Sequence, residues 1–531
     1  MPSRVPPALR SSAAVAIAAA LVSVSVTLSG CGGDSREAGG PAAGSGVPGD
    51  GARATGAPSG MSESAWKFCS ACHRLPLPDT LPRAQWRRRI EVMFEIARGS
   101  QTTIASGFPS LEAVVDWYVE RAPEVLPAVD STVHKGSGGL RLESRGIRLP
   151  QLGPFPGTAN VRFVRLFGGP GLDLLVTDMR SGAVCALRPY LAQNDVRVLG
   201  VVKHPCNTSV VDLDRDGRLD LLVSDLGTPT PSDATNGGVF WFRGGPDETF
   251  AVYPLQTGLG RVADAQAADF DGDGDLDIVV AVFGWRRVGE ILLLVNRSEG
   301  AEAPRFEPFR VDPRPGTIHV PVADLDGDGD VDFVALISQQ FEAIVAFLND
   351  GHGRFTPREL FRASHPNWGS TGIELVDLDG DADLDILFTN GDTLDDLVVK
   401  PYHGVQWLEN RGDLEYVDHR LSDLYGASSA KAADLDGDGD LDIVASAFLP
   451  YLRPDDRGAD LIESLVWFEQ VAPRRFERWS IERTATFHAS IDVGDYDADG
   501  DIDIVGGNLV MRSRPEDVLE HAAVIWSNLL R

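Results

Sequence analysis

Aspartate recurs at one fixed spacing six times between residues 212 and 503, as D-x-D-x-D-G-x-x-D, with Ala382 in place of the glycine in one copy. The carboxylates at positions 1, 3, 5 and 9 are Asp212, Asp214, Asp216 and Asp220 in the first copy and Asp269, Asp271, Asp273 and Asp277 in the second. The third and fourth copies supply Asp324, Asp326, Asp328 and Asp332, then Asp377, Asp379, Asp381 and Asp385. The last two supply Asp434, Asp436, Asp438 and Asp442, then Asp495, Asp497, Asp499 and Asp503. Three alternate carboxylates, a residue that turns the backbone and a fourth carboxylate three positions on converge on one hard cation. Oxygen ligands in that number suit Ca²⁺ better than a transition metal. An EF-hand is excluded, because its twelfth position needs a bidentate Glu and here holds Val223 and Val280.

This loop resembles the FG-GAP or VCBS repeat of integrin-like calcium β-propellers, over roughly residues 138–531. The resemblance implies a mainly β fold with up to six Ca²⁺, one per loop. It also accounts for the composition. The formal charge is −30, yet 29 Asp lie inside the six loops, and six Ca²⁺ would return twelve charges and leave about −18. The acidity is therefore mostly metal-site chemistry, and it argues against nucleic acid as a partner.

A second chemistry sits at residues 69–73, Cys-Ser-Ala-Cys-His. C-x-x-C-H is the attachment motif of haem c: Cys69 and Cys72 add to the vinyl groups and His73 is placed as the proximal iron ligand. The alternatives are a zinc half-site or a redox pair; a second zinc half-site is absent, and an exported chain is where haem c is attached. Downstream, residues 82–98 read as a helix with Trp86, Ile90 and Met93 on one stripe, and residues 109–120 as another. The order C-x-x-C-H, W-x-x-x-I-x-x-M, V-V-D-W-Y resembles small monohaem cytochromes c, which implies an all-α domain over 63–128 with Met93 as second axial ligand. His/Met ligation favours electron transfer over oxygen chemistry.

The elements that carry these sites follow from the rest of the chain. Arg4 and Arg10 precede an apolar run from Ala13 to Val26, too short to span a bilayer, so residues 1–30 are a secretory signal. Leu28-Ser29-Gly30-Cys31 resembles the lipobox of bacterial lipoproteins, which implies lipid on Cys31 and a protein anchored at the exported face of the cell envelope, in the periplasm or at the outer membrane. Residues 31–62 are a Gly, Ala, Ser and Pro tether. In this oxidising setting Cys185 and Cys206 fit either a disulfide or two buried thiols.

Successive closing aspartates lie 57, 55, 53, 57 and 61 residues apart, the length of a four-stranded propeller blade. Each loop runs into an apolar strand, and aromatic third strands recur around Trp241, Trp407, Trp467 and Trp526. An earlier unit around Asp173 keeps the strand pattern without the preceding ligands and should bind no calcium. That makes seven blades over 138–531, with residues 140–149 supplying the outer strand of the last one. Closure of this kind removes two exposed edges.

Four histidines, His204, His319, His365 and His488, occur just before a first strand. With His403, Tyr402, Trp368 and Arg286 they are candidates for a ligand face at the mouth of the central channel. No nucleophile elbow, phosphate loop or zinc-protease helix is present, so no catalytic set can be named. The expectation is a monomeric electron-transfer protein whose propeller docks a redox partner or a polysaccharide. Two alternatives stay open: a module that only binds glycan or protein, and a propeller enzyme that acts on sugars and passes electrons to haem.

Overall fold

Three helices and seven β-sheets appear in the computed structural model, which describes residues 56–71, 73–99, 108–127, 136–192, 195–298, 304–394, 396–451, 462–483, 486–511 and 519–530. They fall into two units, one containing 56–71 with Pro82–Ala122 and the other 73–81 with the chain from Pro123 onward. Residues 1–55, including Cys31, and Cys72 lie outside the described residues.

The first unit is helical. Ser62 caps α1 (Glu63–Cys69) by accepting from Ala65 N at 3.2 Å, and Ser110 caps α3 (Leu111–Arg121) by accepting from Ala113 N at 3.4 Å. Between them runs α2 (Arg83–Gly99), whose buried stripe is Trp86, Ile90 and Phe94 at i, i+4 and i+8. Trp86 stacks on Tyr118 of α3 with centroids 4.1 Å apart, and Phe94 meets Phe68 of α1 at 4.6 Å. Met93 stands one residue off that stripe and is 41% exposed.

The second unit is a seven-bladed propeller. Six sheets run from inner to outer strand in chain order, over residues 158–201, 205–259, 262–312, 317–362, 370–423 and 427–483. The seventh combines 488–528 with Leu142–Ile147, which pairs antiparallel with Ala523–Asn528 from Leu142↔Asn528 to Ile147↔Ala523. In blade 4 the inner strand is broken into Thr317–His319 and Val322–Ala323 around Pro321, which has no N–H to give to the ladder.

Burial explains the sequence pattern. The second strands, such as Asp277–Val282 and Asp442–Ala447, are buried at every residue because each lies inside its sheet and between two neighbouring blades. They therefore read as continuous apolar runs, while outer strands such as Phe355–Arg362 alternate with solvent. Trp241, Trp407, Trp467 and Trp526 fill the space between blades, none more than 3% exposed. Cys185 and Cys206 are separate thiols; Cys206 Sγ lies 3.3 Å from Val262 O.

Candidate metal centres

Every acid loop joins the first strand of its blade to the second, and its closing aspartate is the first residue of that second strand. Position 1 folds the loop around itself: Asp212 Oδ1 accepts from Asp216 N at 3.0 Å and its Oδ2 from Gly217 N at 2.9 Å. The curl requires left-handed backbone at positions 4 and 6, as at Gly437 (φ 78°) and Gly439 (φ 101°). A Cβ on either glycine would meet nothing within 4 Å, so the need is conformational rather than steric. Ala382 is held at φ 75° and Ala498 at φ 64° in the corresponding turns.

The closing aspartate has a second duty. Asp442 Oδ2 accepts from Leu435 N at 3.2 Å and Oδ1 from Gln470 N at 2.8 Å, joining loop, second strand and third strand. Asp220, Asp277, Asp332, Asp385 and Asp503 repeat both bonds. Burial pushes the carboxyls of Asp442 and Asp503 up to about 7 and those of Asp277 and Asp385 to about 6, with neighbouring loop carboxylates adding to the rise at Asp442 through Asp436.

The ligand oxygens converge. Asp212, Asp214 and Asp220 offer oxygens within 4.8 Å of one another, as do Asp324, Asp326 and Asp332, and Asp377, Asp379 and Asp385. Asp269, Asp271 and Asp273, and Asp434, Asp436 and Asp438, do the same with position 5 as the third member. Buried Oδ1 atoms of Asp214 and Asp379 have no hydrogen-bond donor, which is what a carboxylate set built around a cation shows without it. The residues present fit Ca²⁺. Arginines stand beside some loops: Arg243 lies 2.6 Å from Asp214, and Arg474 lies 2.6 Å from Asp379.

Blade 1 shows the same corner without the acid loop. Asp173 keeps the loop bonds, accepting from Leu166 N at 2.9 Å and Phe167 N at 2.8 Å. Its other oxygen faces Arg188 Nε at 3.8 Å, and that guanidinium also pairs with Asp195 and Glu248. Sequence reasoning missed this pairing because the partners lie up to 60 residues apart.

Cys69 ends α1, where burial pushes its thiol up to about 11, and Met93 belongs to the same unit. His73 belongs to the propeller unit, with Nδ1 2.7 Å from Arg74 O. A ring so tied leaves Nε2 as its free lone pair, the arrangement that metal-bound histidines adopt, so His73 fits a haem iron. The following segment is held on blades 4 and 5: Arg74 Nη1 donates to Ala363 O at 3.0 Å and Tyr402 Oη to Thr80 O at 3.2 Å.

The five histidines do not share one place. Only His319 lines the central cavity. His204 Nδ1 lies 2.9 Å from Met179 O, and His488 is buried with Nε2 2.7 Å from Glu482. His365 and His403 are buried against Tyr402, with ring centroids at 4.6 and 5.6 Å. Burial lowers the pKa of both, His365 to about 3, with Lys400 adding to the effect, so both are neutral.

The FG-GAP-like repeat family model matches residues 212–280, 324–388 and 389–445, a little over a third of the chain and five of the six loops. The chain therefore carries FG-GAP-like repeats. A search of curated proteins gave no match. Among solved structures, virginiamycin B lyase from Staphylococcus aureus is similar at 11% identity and TM-score 0.42, covering 73% of this chain and 100% of that one. BBS1N in complex with ARL6DN gives 11% and 0.42, covering 74% and 97%. Rhamnogalacturonan lyase YesW gives 14% and 0.36, covering 70% and 74%.

Proposed function

We propose that this protein is an exported electron carrier in which a c-type haem, attached at Cys69 and Cys72, rides on a calcium-braced propeller. His73 and Met93 would be its axial ligands, Cys31 would carry lipid that anchors the chain to the membrane, and the propeller would dock a redox partner or polysaccharide. Haem, when bound, supplies a one-electron couple. The chain's own residues orient and hold it.

The observation that carries the reading is the Nδ1 bond of His73 to the carbonyl of Arg74, 2.7 Å long, inside a C-x-x-C-H motif. It fixes the tautomer with Nε2 free for a metal. The next residues are bonded to Ala363 and Tyr402, so movement of the ligand histidine relative to the ring is restricted. Met93 has an exposed thioether on α2, available to a ligand rather than spent in the helix core.

The test is expression of the full chain with a cytochrome c maturation system. Haem should stay on the polypeptide through denaturing electrophoresis and be lost in Cys69→Ala/Cys72→Ala. Met93→Ala should alter the reduced spectrum and lower the potential. A chain that leaves maturation without covalent haem refutes the reading. An unaltered Met93→Ala spectrum removes the methionine ligand. Oxidised protein mixed with sugars should keep its spectrum; substrate-driven reduction would instead make the propeller an enzyme.

A further inference from the structure

The inner strand of every blade is bulged at the same place, between its first and third residues: Thr158/Asn160, Pro205/Asn207, Val262/Asp264, Thr317/His319, Ser370/Gly372, Ala427/Ser429 and His488/Ser490. A bulge re-aims the side chains that follow it. The third and fifth residues of these strands, Ser209 of blade 2 excepted, accordingly line a central cavity of about 640 Å³. At the fifth position, going round from blade 5 through blades 6 and 7 to blade 1, stand Glu374, Lys431, Asp492 and Arg162, alternating in sign.

Three of these four charges have partners. Lys431 Nζ lies 3.0 Å from Glu374 Oε1, and Asp492 Oδ2 accepts from Phe163 N at 2.8 Å. Arg162 feels the charge of Asp492 through space, but its guanidinium makes no hydrogen bond and no ion pair within 4.0 Å among the described residues, and its Nε is buried without an acceptor. Two residues back on the same strand, Asn160 uses its Oδ1 to accept from Thr208 at 3.2 Å, which leaves its amide N–H groups for a ligand. A buried donor without a partner is costly, and five N–H groups in a planar fork match a carboxylate.

We infer that the central cavity binds a uronic acid, free or as a residue of an oligosaccharide, with its carboxylate on Arg162. A simple anion would meet the carboxylate of Asp492 near the guanidinium. A neutral sugar would leave Arg162 unpaired. A carboxylate on a polyhydroxylated ring answers both, because Asp492 and Asn160 then take its hydroxyls. The volume lies within the range of small-ligand sites. This deepens the reading of the propeller as a docking platform and does not involve haem, so covalent haem attachment and uronate binding succeed or fail separately.

The test is calorimetric titration of the full chain with digalacturonate and with galactose, at one saturating free calcium concentration because uronates also coordinate calcium. Digalacturonate should bind at least tenfold more tightly than galactose. Arg162→Met should weaken digalacturonate at least tenfold with the melting temperature unchanged. Should that variant not fold, Asn160→Ala serves, with an expected loss of about threefold or more. No digalacturonate heat and no digalacturonate-induced rise in melting temperature overturns the inference. So does equal affinity for both sugars, or wild-type affinity in the folded Arg162→Met variant; in Asn160→Ala, wild-type affinity overturns it where Arg162→Met does not fold.

Discussion

Asp442 braces its blade, since the oxygen that accepts from Gln470 N at 2.8 Å ties the acid loop to the third strand. Position 3 of the same loop differs: Asp436 accepts one bond, from Asp438 N at 3.2 Å, within the loop itself. The two carboxylates should therefore fail in different ways. Asp442→Ala leaves two N–H groups without their acceptor and should cost about 2–5 kcal/mol with or without calcium. Asp436→Ala should leave the metal-free melting temperature within a degree or two and remove only part of the rise that calcium produces. Calorimetric melts in EDTA and in millimolar calcium separate them. A wild-type melt that ignores both conditions would remove the calcium assignment altogether.

Ala382 occupies backbone that five of the six loops give to glycine, at φ 75° and with its N–H bonded to Asp377 Oδ2 at 2.9 Å. Left-handed backbone costs an L-residue roughly 1–2 kcal/mol. Ala382→Gly should stabilise the chain by about 0.5–1 kcal/mol after the entropy that glycine adds to the unfolded state. The mirror change, Gly439→Ala at φ 101°, should destabilise by a similar amount or more. Urea unfolding of both variants at fixed calcium checks the pair. Equal midpoints for Ala382→Gly and the wild type would show that the turn bears no strain.

What could be read from the chain follows from how far each constraint reaches along it. The acid loops were legible because their carboxylates keep one spacing within nine residues, and the ring of blades because that loop recurs at blade length. The helix over 82–98 was legible as well, but Phe94 rather than Met93 completes its buried stripe, since i, i+4, i+8 describes this helix better than i, i+4, i+7. The histidines before the first strands share a position in sequence and not in space: each turn and bulge aims its own ring, His204 at Met179 O and His488 at Glu482. The polar channel positions were missed because Asn160/Arg162, Asp264/Gln266 and Lys431 sit in short strands where period-two polarity reads as a solvated face. The approach of Arg188 to Asp173 needed tertiary contact to be seen at all.

Glu342 gives the stability a pH dependence apart from the metal loops. It is 3% exposed, and its Oε2 accepts from Ser370 N at 3.0 Å and Ser370 Oγ at 2.7 Å. Burial pushes its carboxyl up to about 7, with the Ser370 and Gly369 donors opposing and Asp392 adding to the rise. The folded chain thus holds a proton that the unfolded chain has already lost. The stabilisation is complete below the unfolded value, near 4.5, falls as pH rises toward 7 and is absent above it. The loss is at most about 3 kcal/mol. Glu342→Gln should flatten that part of the curve, read as the difference between variant and wild type in urea unfolding at pH 5 and pH 8. Parallel curves would mean that the group is ionised throughout.

Leu142–Ile147 closes the ring on strand Ala523–Asn528, nearly four hundred residues away in sequence. Ile147 is fully buried among Val505, Ala523 and Ile525, and its carbonyl accepts from Ala522 N at 2.8 Å. Leu140 packs with Trp467 and Trp526 in the adjoining cluster. Without this strand, Ala523–Asn528 would present an unpaired edge and lose one wall of its core. Deleting residues 138–150 should therefore abolish the cooperative melt and yield soluble aggregates in size-exclusion chromatography. Ile147→Ala, which keeps the pairing, should cost about 2–5 kcal/mol in urea unfolding. A truncated chain that still melts cooperatively as a monomer would show that six complete blades and the three remaining strands hold the ring unaided.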